Sequence, residues 1–182
     1  MVKKILIGAA VVVVLLAATV AYMMNRSRTL SPSGEAALTN AGLTVSVKYS
    51  RPSVRGRLIF GTKEQGALQP YGAYWRLGAN EATEITFNKN VNFNGQPVDA
   101  GTYAMYAIPE EGGFEIILNS ETGYWGAFEP DHSKDFLKTK VQSQAGASAV
   151  EQYTISTLPM EQGVNVLFEW SDIRWSIPVT VQ

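Results

Sequence analysis

The chain has 182 residues, with 15 Lys and Arg against 16 Asp and Glu, one histidine and no cysteine. The missing thiol excludes disulfides, a lipid-modified cysteine, thiolate metal sites and a cysteine nucleophile. Four basic residues and no acid fall within residues 1–28, which leaves a net charge of −5 beyond them and argues against a nucleic-acid partner, because phosphate neutralisation needs a basic surface.

Ile5 to Met24 is an uncharged apolar run of 20 residues. As a helix rising about 1.5 Å per residue it covers the roughly 30 Å of a bilayer core. Ten of its residues are Ile, Leu or Val, together favouring insertion by about 3 to 6 kcal/mol. Lys3 and Lys4 precede the run and Arg26 and Arg28 follow it, a charge asymmetry that only weakly favours a cytoplasmic N-terminus. Thr19-Val20-Ala21 offers a small-x-small cleavage site, but the run continues past it and exceeds the usual 7 to 15 residues of a secretory signal. Residues 1–28 are therefore expected to be a membrane anchor or a signal segment. The expected location is a single-pass cell-membrane protein whose remainder lies on the periplasmic or extracytoplasmic side.

Residues 29–41 mix Ser, Thr, Pro, Gly and Ala with a lone Glu35 and read as a tether. From there residues 42–182 read as one domain. Leu43, Val45, Val47 and Tyr49 alternate with polar residues, the pattern of a half-buried strand. Similar runs occur at Arg57–Phe60, Thr83–Phe87, Tyr103–Ile108, Phe114–Asn119, Val150–Leu158, Val164–Trp170 and Arg174–Val181. Asn94-Gly95 after Val91 and Phe93 is a strong hairpin signal, and Glu110 to Gly113 joins two alternating runs. One or two helical turns are expected near Asp135. The fold class is all-β: an antiparallel β-sandwich, jelly-roll-like in one arrangement and with a barrel as the alternative, preceded by one N-terminal helix. Gly61 to Ala82 is a 22-residue segment too long for an ordinary connection, which marks it as functional or disordered; its aromatics and Arg76 favour function.

Within SRPSVRGR, Arg51, Arg55 and Arg57 supply three guanidiniums that, joined by Arg76, would make a fork-shaped site for carboxylates or phosphates; the competing reading pairs them with nearby acids. Trp75, Arg76, Asn80 and Glu81 bring an indole, a cation, an amide and a carboxylate together before a strand, as a small-ligand or sugar pocket needs, although such groups also brace irregular loops. Trp125, in GYWGAF, is the other indole in a loop-like context. His132 lies in an acidic turn, with Asp131 and Asp135 as possible oxygen ligands, and reads as solvated. No metal or cofactor is called for, since HExxH, GxSxG, phosphate-loop and calcium-loop spacings do not occur.

VKYSRPSVRGRLIFG, YGAYWRLGANEATEITF, AGTYAMYAIP and IILNSETGYWGAF, in that order, resemble the bacterial "domain of unknown function 2911" family over about Leu43 to Val181. The resemblance implies an exported, compact, mainly β domain and no particular activity. The residues matching its signature include Arg51, Arg57, Trp75, Arg76, Asn80, Glu81, Thr83, Asn119 and Trp125. Expected partners are the membrane, through Ile5 to Met24, and a small molecule, glycan or protein. The leading expectation is a binding module of the cell envelope. The rival is a carboxylate-dependent hydrolase using Glu81 with Asp131 or Asp135.

Overall fold

The computed structural model describes residues 2–182. Its first element, α1, is a helix over Val2–Leu30 in which no residue is buried. One helix is thus long and apolar enough to cross a membrane. Twelve strands follow: β1 (Ser33–Asn40), β2 (Leu43–Ser50), β3 (Phe60–Gly61), β4 (Gln69–Pro70), β5 (Thr83–Phe87), β6 (Val91–Phe93), β7 (Gln96–Val98), β8 (Gly101–Glu110), β9 (Gly113–Asn119), β10 (Asp135–Gln142), β11 (Gln144–Met160) and β12 (Gly163–Val181).

Six strands form one sheet in the order β1-β2-β5-β8-β9-β10, and four form the other in the order β11-β12-β6-β7. All pairings within these sheets are antiparallel. The alternation seen in the sequence is the alternation of burial: Leu43, Val45 and Val47 of β2 and Ile85 and Phe87 of β5 face inward, as do Val164, Val166, Phe168 and Trp170 of β12. Apolar area removed from water between the faces is the main source of stability, about 25 cal/mol per Å². At one end of this core Trp75, Phe114, Tyr153, Trp170 and Trp175 pack ring against ring.

Asn94 and Gly95 both have positive φ (48° and 80°), the type I′ geometry that the Asn-Gly pair favours between two strands. Three other expectations need correction. The segment 29–41 is not a tether: α1 runs to Leu30, and β1 pairs residue for residue with β2 from Ser33↔Ser50 to Asn40↔Leu43. The expected strand Arg57–Phe60 is reduced to the two residues of β3, in a parallel pair with β4, because Arg55 and Gly56 turn the chain with φ of 51° and 68°. The runs Val164–Trp170 and Arg174–Val181 are one strand, β12, with Ser171 at φ 55° between them. The helical turn near Asp135 is a single 3-10 turn over His132–Lys134, capped by the Asp131 side chain.

Candidate functional site

The segment between β4 and β5 is wound tightly. Trp75 exchanges two 2.8 Å backbone hydrogen bonds with Ala107 of β8, which turns its ring inward onto Trp170, with ring centroids 5.7 Å apart and planes 22° from parallel. The chain then reverses through Leu77 and Asn80, both left-handed at φ 51° and 58°. Such conformations cost a non-glycine residue of order 1 to 3 kcal/mol and persist only where the surroundings impose them. Here Thr83 Oγ1 donates to Leu77 O at 2.8 Å and Trp75 Nε1 to Gly78 O at 3.3 Å. Gly78 is required because a Cβ there would lie 2.8 Å from the Ser50 carbonyl oxygen.

Against this segment lies a pocket of about 440 Å³. Arg55 and Arg57 reach it from the turn after β2, Arg76 and Tyr74 from the wound segment, and Trp125 from the loop after β9, while Trp170 contributes from β12. Its charged lining is three arginines and no carboxylate. Arg57 donates to Val54 O (3.0 Å) and Ser53 O (2.6 Å), Arg55 to Leu30 O (3.1 Å) and Arg76 to Asn80 O (3.3 Å). All these acceptors are neutral, and among the described residues none of the three guanidiniums has an acidic partner within 4 Å. Burial makes the charge on Arg76 less favourable, while the facing phenols of Tyr74 and Tyr124 favour it. Those phenols lie close enough to perturb one another's ionisation, and the buried indole N–H of Trp170 makes no hydrogen bond.

The last turn of α1 closes one side of the pocket. Ser27 Oγ donates to Asn80 Oδ1, and Asn80 Nδ2 donates to Ser31 O at 3.0 Å. Arg28 pairs with Glu81 at 2.6 Å and lies 5.8 Å over the Trp125 ring, a cation–π placement. Burial would raise the Glu81 carboxyl, but the Arg28 hydrogen bond, a backbone hydrogen bond and the Arg28 charge together outweigh it and hold the group low.

Of the residues singled out in the sequence, Arg57, Trp75, Arg76, Asn80 and Trp125 line this one pocket. Trp75 serves as its floor and belongs to the core rather than to a free stacking wall, being 2% exposed. Asn80 has both ends of its amide engaged by the helix end. Arg51 is elsewhere: its guanidinium donates to Tyr153 O (3.5 Å) and Thr154 Oγ1 (3.3 Å) of β11. Glu81 opens onto the other side, a groove of about 610 Å³ across β1, β2 and β5. That groove is the larger hollow, but its charges are of both signs: Lys48 stands in register with Glu35 and Glu84 on the neighbouring strands, and Glu84 accepts from Gly123 N at 2.7 Å. Sequence reasoning missed Tyr74 and the helix end. Tyr74 sits one residue before Trp75 and so takes the opposite face of the same strand-like stretch, a signal that was available.

The expected acid–base partners of Glu81 are not beside it. Asp131 accepts from Ser133 N and Oγ (3.0 and 2.7 Å). Asp135, its side chain 3% exposed, accepts from Tyr106 OH at 2.7 Å and Asn119 Nδ2 at 2.8 Å. Burial pushes the Asp135 carboxyl up, but these donors together with His132 pull it lower than usual. His132 lies between Glu129 (3.1 Å) and Asp135 (3.2 Å), and its imidazole is raised chiefly by Glu129, against burial and with help from Asp135. Asn119 also accepts from Glu121 N at 2.7 Å, so this signature residue orders the loop that carries Trp125.

A model of the family described as "Protein of unknown function (DUF2911)" matches residues 31–179. The match begins directly after α1, two residues before β1, ends two residues short of the end of β12, and takes in every pocket residue beyond Leu30. No curated protein and no solved structure matches the chain.

Proposed function

Because the chain belongs to the DUF2911 family, whose description carries no activity, we propose a function from the site itself: a membrane-anchored binding domain of the cell envelope that takes an anionic ligand in the arginine pocket. The observation that carries this reading is the pocket's one-sided charge. Arg76 is half-buried while Arg55 and Arg57 stand exposed at the pocket's rim, and three guanidiniums that share a cavity with no carboxylate are arranged for an anion from outside. The wound loop supports the same reading, since its left-handed Leu77 and Asn80 fix Arg76 on a rigid wall, and strain of this kind collects at functional sites.

The test is titration of the full-length protein, in neutral detergent, with inorganic phosphate and with succinate, followed by tryptophan fluorescence. Trp125 at the pocket wall and Trp75 and Trp170 at its floor make the signal local. A saturable response that Arg57→Gln weakens at least tenfold is expected. A response absent for both anions, or unchanged in Arg57→Gln, overturns the proposal. The anchor has its own test. The protein should fractionate with membranes at its full 19.8 kDa, and a mature N-terminus near Tyr22 would show instead that the segment is a cleaved signal.

A further inference from the structure

The pocket is joined to the last turn of α1 through Ser27, Arg28 and Leu30, and its height above the apolar run follows from helix geometry. The apolar run ends at Met24, while α1 continues without a break through Leu30. If Ile5 to Met24 fills the hydrocarbon core, Ser27 stands about 4.5 Å and Leu30 about 9 Å above it at 1.5 Å per residue. The headgroup layer is roughly 5 to 8 Å deep on each side. Ser27 and Leu30 line the arginine pocket, so the pocket opens within or immediately above the layer of lipid phosphates. Only Ser31 and Pro32 separate the helix from β1, which leaves no slack to lift the domain away.

The surface around the pocket suits that depth. Phe128, one residue beyond the pocket-lining Ala127, is 75% exposed, and Leu30 is 39% exposed. Trp125 stands beneath Arg28; indoles and arginines are the side chains that settle at the membrane interface. Around the pocket, Arg55, Arg57 and Arg76 supply cationic donors. A phosphodiester with two unesterified oxygens has acceptors for such a set, and a zwitterionic headgroup would bring an ammonium among three arginines.

We infer that the anion taken by the arginine pocket is the phosphate of an anionic phospholipid, drawn from the leaflet into which α1 rises. This rests on the anion-binding reading above and narrows it to one source. The phosphate sits between Arg57 and Arg76, with the glycerol side toward Leu30 and the acyl chains running down beside α1.

The experiment uses the full chain in nanodiscs containing equal phosphatidylglycerol and phosphatidylcholine, with retained lipid counted by native mass spectrometry. A parallel titration in neutral detergent compares dihexanoyl-phosphatidylglycerol with inorganic phosphate. One retained phosphatidylglycerol per protein is expected, with little phosphatidylcholine and a loss of at least tenfold in Arg55→Gln/Arg57→Gln. The short-chain lipid should bind at least ten times more tightly than phosphate. Should the double variant melt early, Arg76→Met, which keeps the packed stem, carries the same test. Equal retention of both lipids, or retention that neither variant changes, overturns the inference. Phosphate binding as tightly as the short-chain lipid overturns it too, while leaving an anion pocket in place. Binding of neither removes both readings.

Discussion

The arginine pocket and the His132 turn are both clusters of charged groups beside tyrosines, and they differ in whether the charges meet. In the turn every charge has a counterpart: His132 lies between Glu129 and Asp135, and Lys134 faces Glu121 and Asp131. Lys138 approaches Asp135 at 3.6 Å. In the pocket three guanidiniums share neutral carbonyls and no carboxylate. Self-neutralised clusters hold a fold together, whereas a cluster of one sign has its complement elsewhere. The contrast is a better guide to a binding site here than cavity size, which favours the groove in which Lys48 stands in register with two glutamates.

That contrast is sharpest at Asp135. Replacing it with Ala removes a charge-assisted hydrogen bond from Tyr106 OH, which keeps His132 Nδ1 at 3.0 Å, and one from Asn119 Nδ2, which keeps Asp131 O at 3.0 Å, a loss of about 2 to 4 kcal/mol. For a domain of this size, that lowers the Tm by roughly 5 to 15 °C. A melt within about 2 °C of the parent would show that the turn is ornamental.

Gly78→Ala should come next. Its Cβ would press on the Ser50 carbonyl oxygen at 2.8 Å, and relieving such a contact costs about 1 to 3 kcal/mol. Since the same segment carries Arg76, anion affinity should fall together with the melting temperature. A stable variant with full affinity would show that the wound loop does not set the pocket's geometry.

Arg76→Met should separate stability from binding. No acidic partner is orphaned by the change and the aliphatic stem still packs on Gly126, so stability should stay within about 1 kcal/mol while anion affinity drops at least tenfold. A large destabilisation would make Arg76 a structural brace instead.

The smallest effect is expected at His132, which is itself half exposed and whose pair with the exposed Glu129 is worth about 0 to 1 kcal/mol. Its imidazole is raised above the ordinary value of about 6.5. The pairing therefore contributes in full below that value and is lost as pH rises through the raised one. Melts of the parent and His132→Ala should differ most near pH 6 and converge towards about pH 9. A gap that widens with pH would contradict the pairing with Glu129.

These features were unequally legible in the sequence. Strands with a strong two-residue period, β2, β5 and β9, were plain, because burial on one face writes itself into alternate positions. The strand β1 was hidden: SGEAALTN has weak strand propensity and buries only Ala36. It is extended because β2 offers it an unpaired edge and Ala41-Gly42 turns the chain back with both φ positive, a tertiary effect that overrides local preference. The clustering of Arg57, Arg76 and Trp125 was suspected from residue type. The separation of Arg51 and Glu81 from them was not, since a left-handed residue at Asn80 sends its neighbour to the opposite side. Contacts such as Ser27 with Asn80 join positions 53 residues apart and leave no periodic trace.

The unbroken passage from α1 into β1 also turns the helix into a dial. Each residue of an α-helix advances about 100° around the axis and 1.5 Å along it. With no slack after Leu30, the number of residues between Met24 and Ser27 sets the compass bearing of the whole sandwich relative to the apolar run of α1. A single inserted or deleted residue there would leave Ser27 and Arg28 on Asn80 and Glu81 but turn the apolar run by more than a quarter of a turn relative to the sandwich. Helix length in this chain therefore encodes direction as well as depth.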